Sequence, residues 1–138
     1  MKCIIQLYRQ NAVKAKETLE RLSTAFKLER SLNEYIANYS LGMKQKVYLI
    51  AAFLSGAGNL ILDEPFNGLD PESVATLKKF LIEYRDAGNL VLFSAHNLDL
   101  VANFCDYVVF IDKQRKVFQF ENPRDFVQLE DAFFQTCV

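Results

Sequence analysis

No apolar run in these 138 residues approaches the ~18 needed for a membrane-spanning helix. The densest, Tyr48 to Leu54, is far too short. Direct membrane insertion is therefore not expected. The first residues, Met1 to Arg9, turn polar too soon for a secretory signal. An excess of one charge is also lacking. Sixteen basic against 17 acidic residues leave a net charge of −1, so no global attraction to nucleic acid or anionic lipid is expected. Cysteine is sparse: Cys3, Cys105 and Cys137 are odd in number and far apart. That spacing suits reduced thiols of a cytosolic protein better than a disulfide framework or a zinc site. Glycine is scarce too, and none of the five is followed by lysine. A G-x-x-x-x-G-K-[ST] phosphate-cradling loop is thus absent from the sequence. Repeats, low-complexity segments and Gly/Ser-rich linkers are missing as well.

What remains fits one ordinary domain, 51% hydrophobic and 24% charged. The first third reads as helical. Ala15, Leu19, Leu22 and Phe26 form one apolar stripe among charged residues, enough for a core-facing helix. A second helix is expected from Ser40, with Val47, Ile50, Ala51 and Leu54 buried and Gly56 and Gly58 ending it. Lys44 and Lys46 read as a solvated face of that helix. Leu60-Ile61-Leu62 suits a strand buried on both faces.

Asp70-Pro71-Glu72 is a helix start: a capping aspartate, a proline at the first helical position and a glutamate at the positive dipole end. Val74, Leu77, Leu81 and Tyr84 would be its buried face, and Gly88 its stop. Further on come a buried strand at Leu90–Phe93, a short helix at Asn97–Phe104, and strands at Tyr107–Ile111 and Val117–Phe120. Asn122-Pro123 opens a terminal helix with Phe126, Leu129 and Phe133 on one side. The alternation of strand and helix argues for a parallel sheet flanked by helices.

Three clusters carry chemistry. Asp63 and Glu64 end an aliphatic strand, where an open α/β sheet places its ligands. One carboxylate there can fix Mg²⁺, usually through water, and a second can orient or deprotonate an attacking water. The plain alternative is a turn-capping Asp beside an exposed Glu. His96, the single histidine, follows the strand Leu90–Phe93 and falls at the same expected edge. An imidazole there could bond a phosphate oxygen or the attacking water; a lone histidine is otherwise a surface or capping residue. Tyr39-Ser-Leu-Gly-Met-Lys-Gln-Lys46 puts a hydroxyl and a glycine at a helix start, where unpaired amides favour an anion. A plain serine cap is the competing reading.

Taken in order and spacing, these clusters resemble the ATP-binding subunit of ABC transporters from about Asn33 to Leu129. Tyr39–Lys46 resembles the signature motif and Leu60–Glu64 the Walker B motif. Asn67–Asp70 resembles the D-loop and Phe93–His96 the switch-histidine region. The resemblance implies a P-loop NTPase-like α/β fold, N-terminally truncated: a parallel sheet with flanking helices, preceded by part of a helical subdomain. Its expected divisions are a helical signature region over 1–58, an α/β core over 59–121 and a terminal helix over 122–138.

It further implies ATP and Mg²⁺ as cofactors. Glu64 would be the general base or water-positioning residue, and Asp63 would bind Mg²⁺ through water. His96 would contact the γ-phosphate. Ser40, Leu41, Gly42 and Met43 would form the signature facing ATP held by an opposite subunit, with Ser40 and Gly42 in contact with it. Asp70 would communicate across the dimer. Implied partners are a membrane-spanning transporter subunit and a second ATP-binding subunit, identical or not. The implied location is cytoplasmic, peripheral to the membrane.

Departures from the pattern are visible. Leu41 replaces the usual glycine but keeps its amide, and Met43 replaces the usual glutamine and loses a polar side chain. The Ser-Leu-Gly-Met variant looks like family members that export peptide antibiotics or drugs. The Q-loop glutamine has only positional candidates, Gln6 and Gln10, and neither is assigned. With the phosphate loop missing, no backbone nest or lysine holds the β- and γ-phosphates. Negligible ATP hydrolysis by this chain alone is therefore expected, as is a marginal or rearranged fold. The alternative is a non-catalytic module that presents its signature to a complete partner.

Overall fold

The computed structural model describes residues 12–112, 114 and 116–137, so Cys3, Gln6 and Gln10 lie outside the described residues. The chain divides into two compact units, one ending at Ser94 and the other beginning at Ala95.

In the first unit, α1 (Ala12–Ala25) buries the expected stripe: Ala15, Leu22 and, just past its end, Phe26. Lys27, at φ +57°, ends the helix in the left-handed region. Leu28 N donates to Ser23 O at 2.8 Å and Lys27 N to Thr24 O at 3.0 Å. These two bonds satisfy carbonyls that the helix end would leave open, and buried Leu28 closes the motif. Helix α2 (Leu41–Leu54) buries Val47, Leu49, Ile50, Phe53 and Leu54. Gly56, at φ +64°, lets the chain turn away after it. Helix α3 (Pro71–Asp86) buries Ser73, Leu77, Phe80 and Leu81, while Val74 and Tyr84 are only partly covered. Aromatic rings knit the helices together. Phe80 lies 6.1 Å from Phe26 and 6.0 Å from Phe53, and Phe53 meets Tyr84 edge-on at 5.7 Å.

Strands β1 (Asn59–Leu62) and β2 (Leu90–Phe93) pair in parallel, with Asn59 opposite Leu90 and Leu62 opposite Phe93. The parallel arrangement is as expected. Burial on both faces is not. Leu60 is buried, but Ile61 is 77% exposed and Leu90 and Leu92 are also exposed. Only the face carrying Leu60, Leu62, Val91 and Phe93 is covered, and α3 packs against β2. Successive strand residues alternate sides, so a sheet covered on one side leaves every second apolar residue in water.

The second unit holds α4 (Leu98–Phe104), β3 (Tyr107–Ile111), β4 (Val117–Glu121) and α5 (Phe126–Cys137). Strands β3 and β4 form an antiparallel hairpin with Tyr107 opposite Glu121. Among the described residues they make a sheet of their own, which corrects the expectation of one parallel sheet running on into Tyr107–Ile111. The strands are joined by only a short connection, and such a link allows antiparallel pairing alone. Val108 and Phe110 point inward onto Ala102 and Leu129. Phe110 meets Phe120 and Phe133 edge-on at 5.2 and 5.3 Å.

The start of α5 is a second correction. Asn122-Pro123 does not cap it; Asp125 does, accepting Gln128 N at 2.9 Å. Phe126 is exposed rather than on the buried side. Asn122 is buried for another purpose. Its Nδ2 lies 2.9, 3.1 and 2.7 Å from the carbonyls of Val101, Ala102 and Cys105. It thereby helps close the carboxyl end of α4, where Val101 O also accepts Cys105 N at 3.1 Å.

Candidate functional site

Asp63 and Glu64 leave the carboxyl end of β1 in a turn, Asp63 exposed and Glu64 partly buried. The neighbouring strand supplies what fixes them. Ser94, one residue past β2, donates its backbone N–H to Leu62 O at 3.0 Å. Its hydroxyl donates to Asp63 Oδ1 at 2.5 Å and accepts Glu64 N at 2.8 Å. Glu64 sits at φ +43°, a left-handed conformation that costs a non-glycine residue on the order of 1 kcal/mol or more. Pro65 is fully buried behind it, and its carbonyl accepts Gln45 Nε2 at 3.2 Å. Asn67 N donates to Glu64 O at 3.1 Å. Phe66 lies edge-on to Phe93 at 5.5 Å. The turn is thus held on three sides.

The signature segment is docked on that same turn. Ser40 is the N-cap of α2, its Oγ accepting Met43 N at 3.2 Å. The amides of the first helical turn, Leu41 and Gly42 among them, have no carbonyl of their own helix to bond. A β-carbon on Gly42 would stand 2.7 Å from Gly68 O, so only glycine permits this approach. The Leu41 side chain is mostly in water but borders Gly68. Asp70 caps α3, accepting Ser73 N at 2.9 Å and Ser73 Oγ at 2.8 Å. Lys46 Nζ reaches Asp70 Oδ2 at 3.0 Å. That lysine, followed by the two bonds from Ser73, holds the Asp70 carboxyl far below the usual carboxylate range. Lys46 is not on a solvated face as the sequence suggested; its side chain is 14% exposed.

The structure thus brings Asp63 and Glu64 together through Ser94, and docks Ser40–Met43 against the turn that leads to Asp70. His96 stands in the second unit, exposed, immediately before Asn97, the cap of α4. Sequence reasoning missed Ser94, Gln45 and Lys46. Position carried a signal for Ser94, a hydroxyl directly after a strand that parallels the one bearing the carboxylates. Nothing in the local pattern marked the other two.

The donor set suits Mg²⁺. Two adjacent carboxylates offer hard oxygens, and Oδ2 of Asp63 takes no hydrogen bond among the described residues. No group of three or more His, Cys, Asp or Glu side chains among the described residues forms a closed metal cage. No helix among the described residues is long and apolar enough to cross a membrane.

Comparison with known proteins gives the family. Residues 5–102 match the family described as "AAA domain, putative AbiEii toxin, Type IV TA system". The chain is 42% identical over 94 residues to "Putative ABC transporter ATP-binding protein AlbC" of Bacillus subtilis (strain 168), covering 68% of this chain and 39% of that protein. It is 38% identical over 101 residues to "ABC-type transporter ATP-binding protein EcsA" of the same organism, covering 70% and 41%. The chain therefore spans about two fifths of these curated relatives. A solved "Structure of ATP binding subunit of ABC transporter" superposes with a TM-score of 0.85 at 28% identity, over 96% of this chain and 60% of that one. The chain belongs to the AAA-domain family, and its sequence and fold are those of part of an ABC transporter ATP-binding domain.

Proposed function

We propose that this chain is the signature- and Walker B-bearing part of an ABC transporter ATP-binding subunit, which couples ATP binding and hydrolysis to transport, in the direction of export. The observation that carries the reading is the docking of the Ser40 helix start onto the turn that follows Asp63 and Glu64, through the Gly42–Gly68 approach. It ties an anion-favouring helix start to a pair of metal-suited carboxylates in one body.

Asp63 would hold Mg²⁺ through water, and Glu64 would orient or deprotonate the attacking water. Bound Mg²⁺ supplies charge neutralisation of the phosphate oxygens. Ser40 and the amides of Leu41, Gly42 and Met43 would face the γ-phosphate of ATP on an opposing subunit. The Ser40 hydroxyl can donate to that phosphate while still accepting Met43 N. His96 would contact the γ-phosphate, and Asp70 would carry the state of one site to the other. The partners in this reading are a membrane-spanning subunit and a second ATP-binding subunit, and the location is the cytoplasmic side of the membrane.

With no Gly-Lys pair in its sequence, the chain alone lacks the lysine and nest that grip the β- and γ-phosphates. Losing one preorganised donor can cost on the order of 10²-fold in rate, and here the whole cradle is missing. Purified chain should release no phosphate above background in a malachite-green assay. Turnover that disappears in Glu64→Gln would overturn this part of the reading.

The preformed Ser40 cap favours a second reading, a non-catalytic module that lends its signature to a complete partner. Ser40→Arg should then reduce stimulation of the partner's ATPase more than Glu64→Gln does. Equal partner activity with both variants would sink this second reading.

A further inference from the structure

We propose that Ser94 is a positioning residue for the Asp63–Glu64 pair, an inference that rests on the metal role given to Asp63 above. A hydroxyl has one proton and two lone pairs, and Ser94 uses the proton and one lone pair on this turn. The proton goes to Asp63 Oδ1 at 2.5 Å, and a lone pair takes Glu64 N at 2.8 Å. The backbone of Ser94 is itself tied to β1 through Leu62 O at 3.0 Å. One side chain thereby performs two tasks. It occupies one carboxylate oxygen of Asp63, leaving Oδ2 as the oxygen presented to a hydrated cation. It also bonds the amide of a residue held at φ +43°, so the backbone from which the Glu64 carboxylate projects is fixed against its own preference. Hydroxyls and amides behind a metal-facing carboxylate orient it, and their loss typically costs 10- to 100-fold in metal affinity.

A merely structural serine would predict less. It would lower stability on removal but leave metal affinity at Asp63 unchanged once the chain is folded. The two roles separate in a titration of the ¹⁵N-labelled full chain with Mn²⁺ alone, followed by paramagnetic broadening of amide resonances. In the native chain the Asp63 and Glu64 amides should broaden first. In Ser94→Ala the midpoint should rise about tenfold, and the Glu64 amide should shift upfield and exchange faster with solvent. Ser94→Thr, which keeps the hydroxyl, should restore both. Ser94→Cys, a weak donor of similar size, should behave like the alanine variant and serves if alanine does not fold.

Equal midpoints in Ser94→Ala and the native chain would overturn the positioning role alone, as would a threonine variant that fails to rescue. Absence of selective broadening at Asp63 in the native chain would instead overturn the metal role of Asp63, and this inference with it.

Discussion

Lys46 Nζ and Asp70 Oδ2 stand 3.0 Å apart, joining the second turn of one helix to the cap of another across 24 positions of sequence. The lysine is largely covered and the aspartate about half exposed. The pair fastens α2 to the start of α3, beyond the turn that carries the carboxylates.

The same pair sets a pH dependence. Lys46 and Ser73 depress the folded pKa of Asp70. Its contribution is therefore present above the unfolded carboxylate value of about 3.9 and lost as pH falls through the lower folded value. Asp70→Ala should cost about 0.5–2 kcal/mol at pH 7, chiefly through the lost cap. Urea denaturation of native and variant chains should give curves that converge in strong acid. A constant difference down to pH 2 would contradict the assignment.

Gly42 and Gly58 should respond oppositely to alanine. At Gly42 the new methyl meets a backbone carbonyl, Gly68 O, at 2.7 Å, and a backbone atom yields only with its whole turn. Destabilisation of about 1–3 kcal/mol is expected, outweighing the gain in helix propensity. At Gly58 the nearest atom is Asn89 Oδ1 at an ordinary 3.8 Å. Gly58→Ala should be neutral or stabilising by up to about 1 kcal/mol, because the unfolded chain loses freedom. Thermal melts of the two variants check this directly.

Asn122→Ala should unravel the end of α4. It removes an amide whose two N–H groups reach the carbonyls of Val101, Ala102 and Cys105, and of these only Val101 O keeps another donor, Cys105 N at 3.1 Å. Buried acceptors left unpaired cost about 1–3 kcal/mol. Hydrogen exchange should accelerate at the Val101 and Cys105 amides while the amides of β1 and β2 keep their rates.

Cys105 should be a slow nucleophile. Burial, aided by the nearby Asp106 carboxylate and opposed by Arg124, pushes its thiol up to about 11. Peptide-resolved alkylation at pH 7.5 should label it well below the rate of an ordinary thiol with pKa about 8.5. The folded state holds this proton more tightly than the unfolded chain. Stability from this group is therefore full below about 8.5 and declines as pH rises through about 11.

Much of this protein was legible in its sequence, for a local reason. Ser40, Asp70 and Asn97 cap their helices because each side chain accepts an amide three residues on, a bond that needs no distant partner. Gly56 and Gly88 end helices because both take positive φ. The stripe of Ala15, Leu22 and Phe26 is buried because helical periodicity puts these residues on one side. The carboxylates at the end of β1 and the helix start at Ser40 follow from the same short-range rules.

Tertiary structure decided the rest. The antiparallel pairing of β3 with β4, and the bare face of Ile61, Leu90 and Leu92, depend on which surfaces find cover. The bond from Ser94 to Asp63 spans 31 positions, and the Gly42–Gly68 approach exists only where a helix meets a turn. No periodicity encodes such contacts. They are set by side-chain reach and backbone clearance between elements, quantities that exist only once the elements have packed.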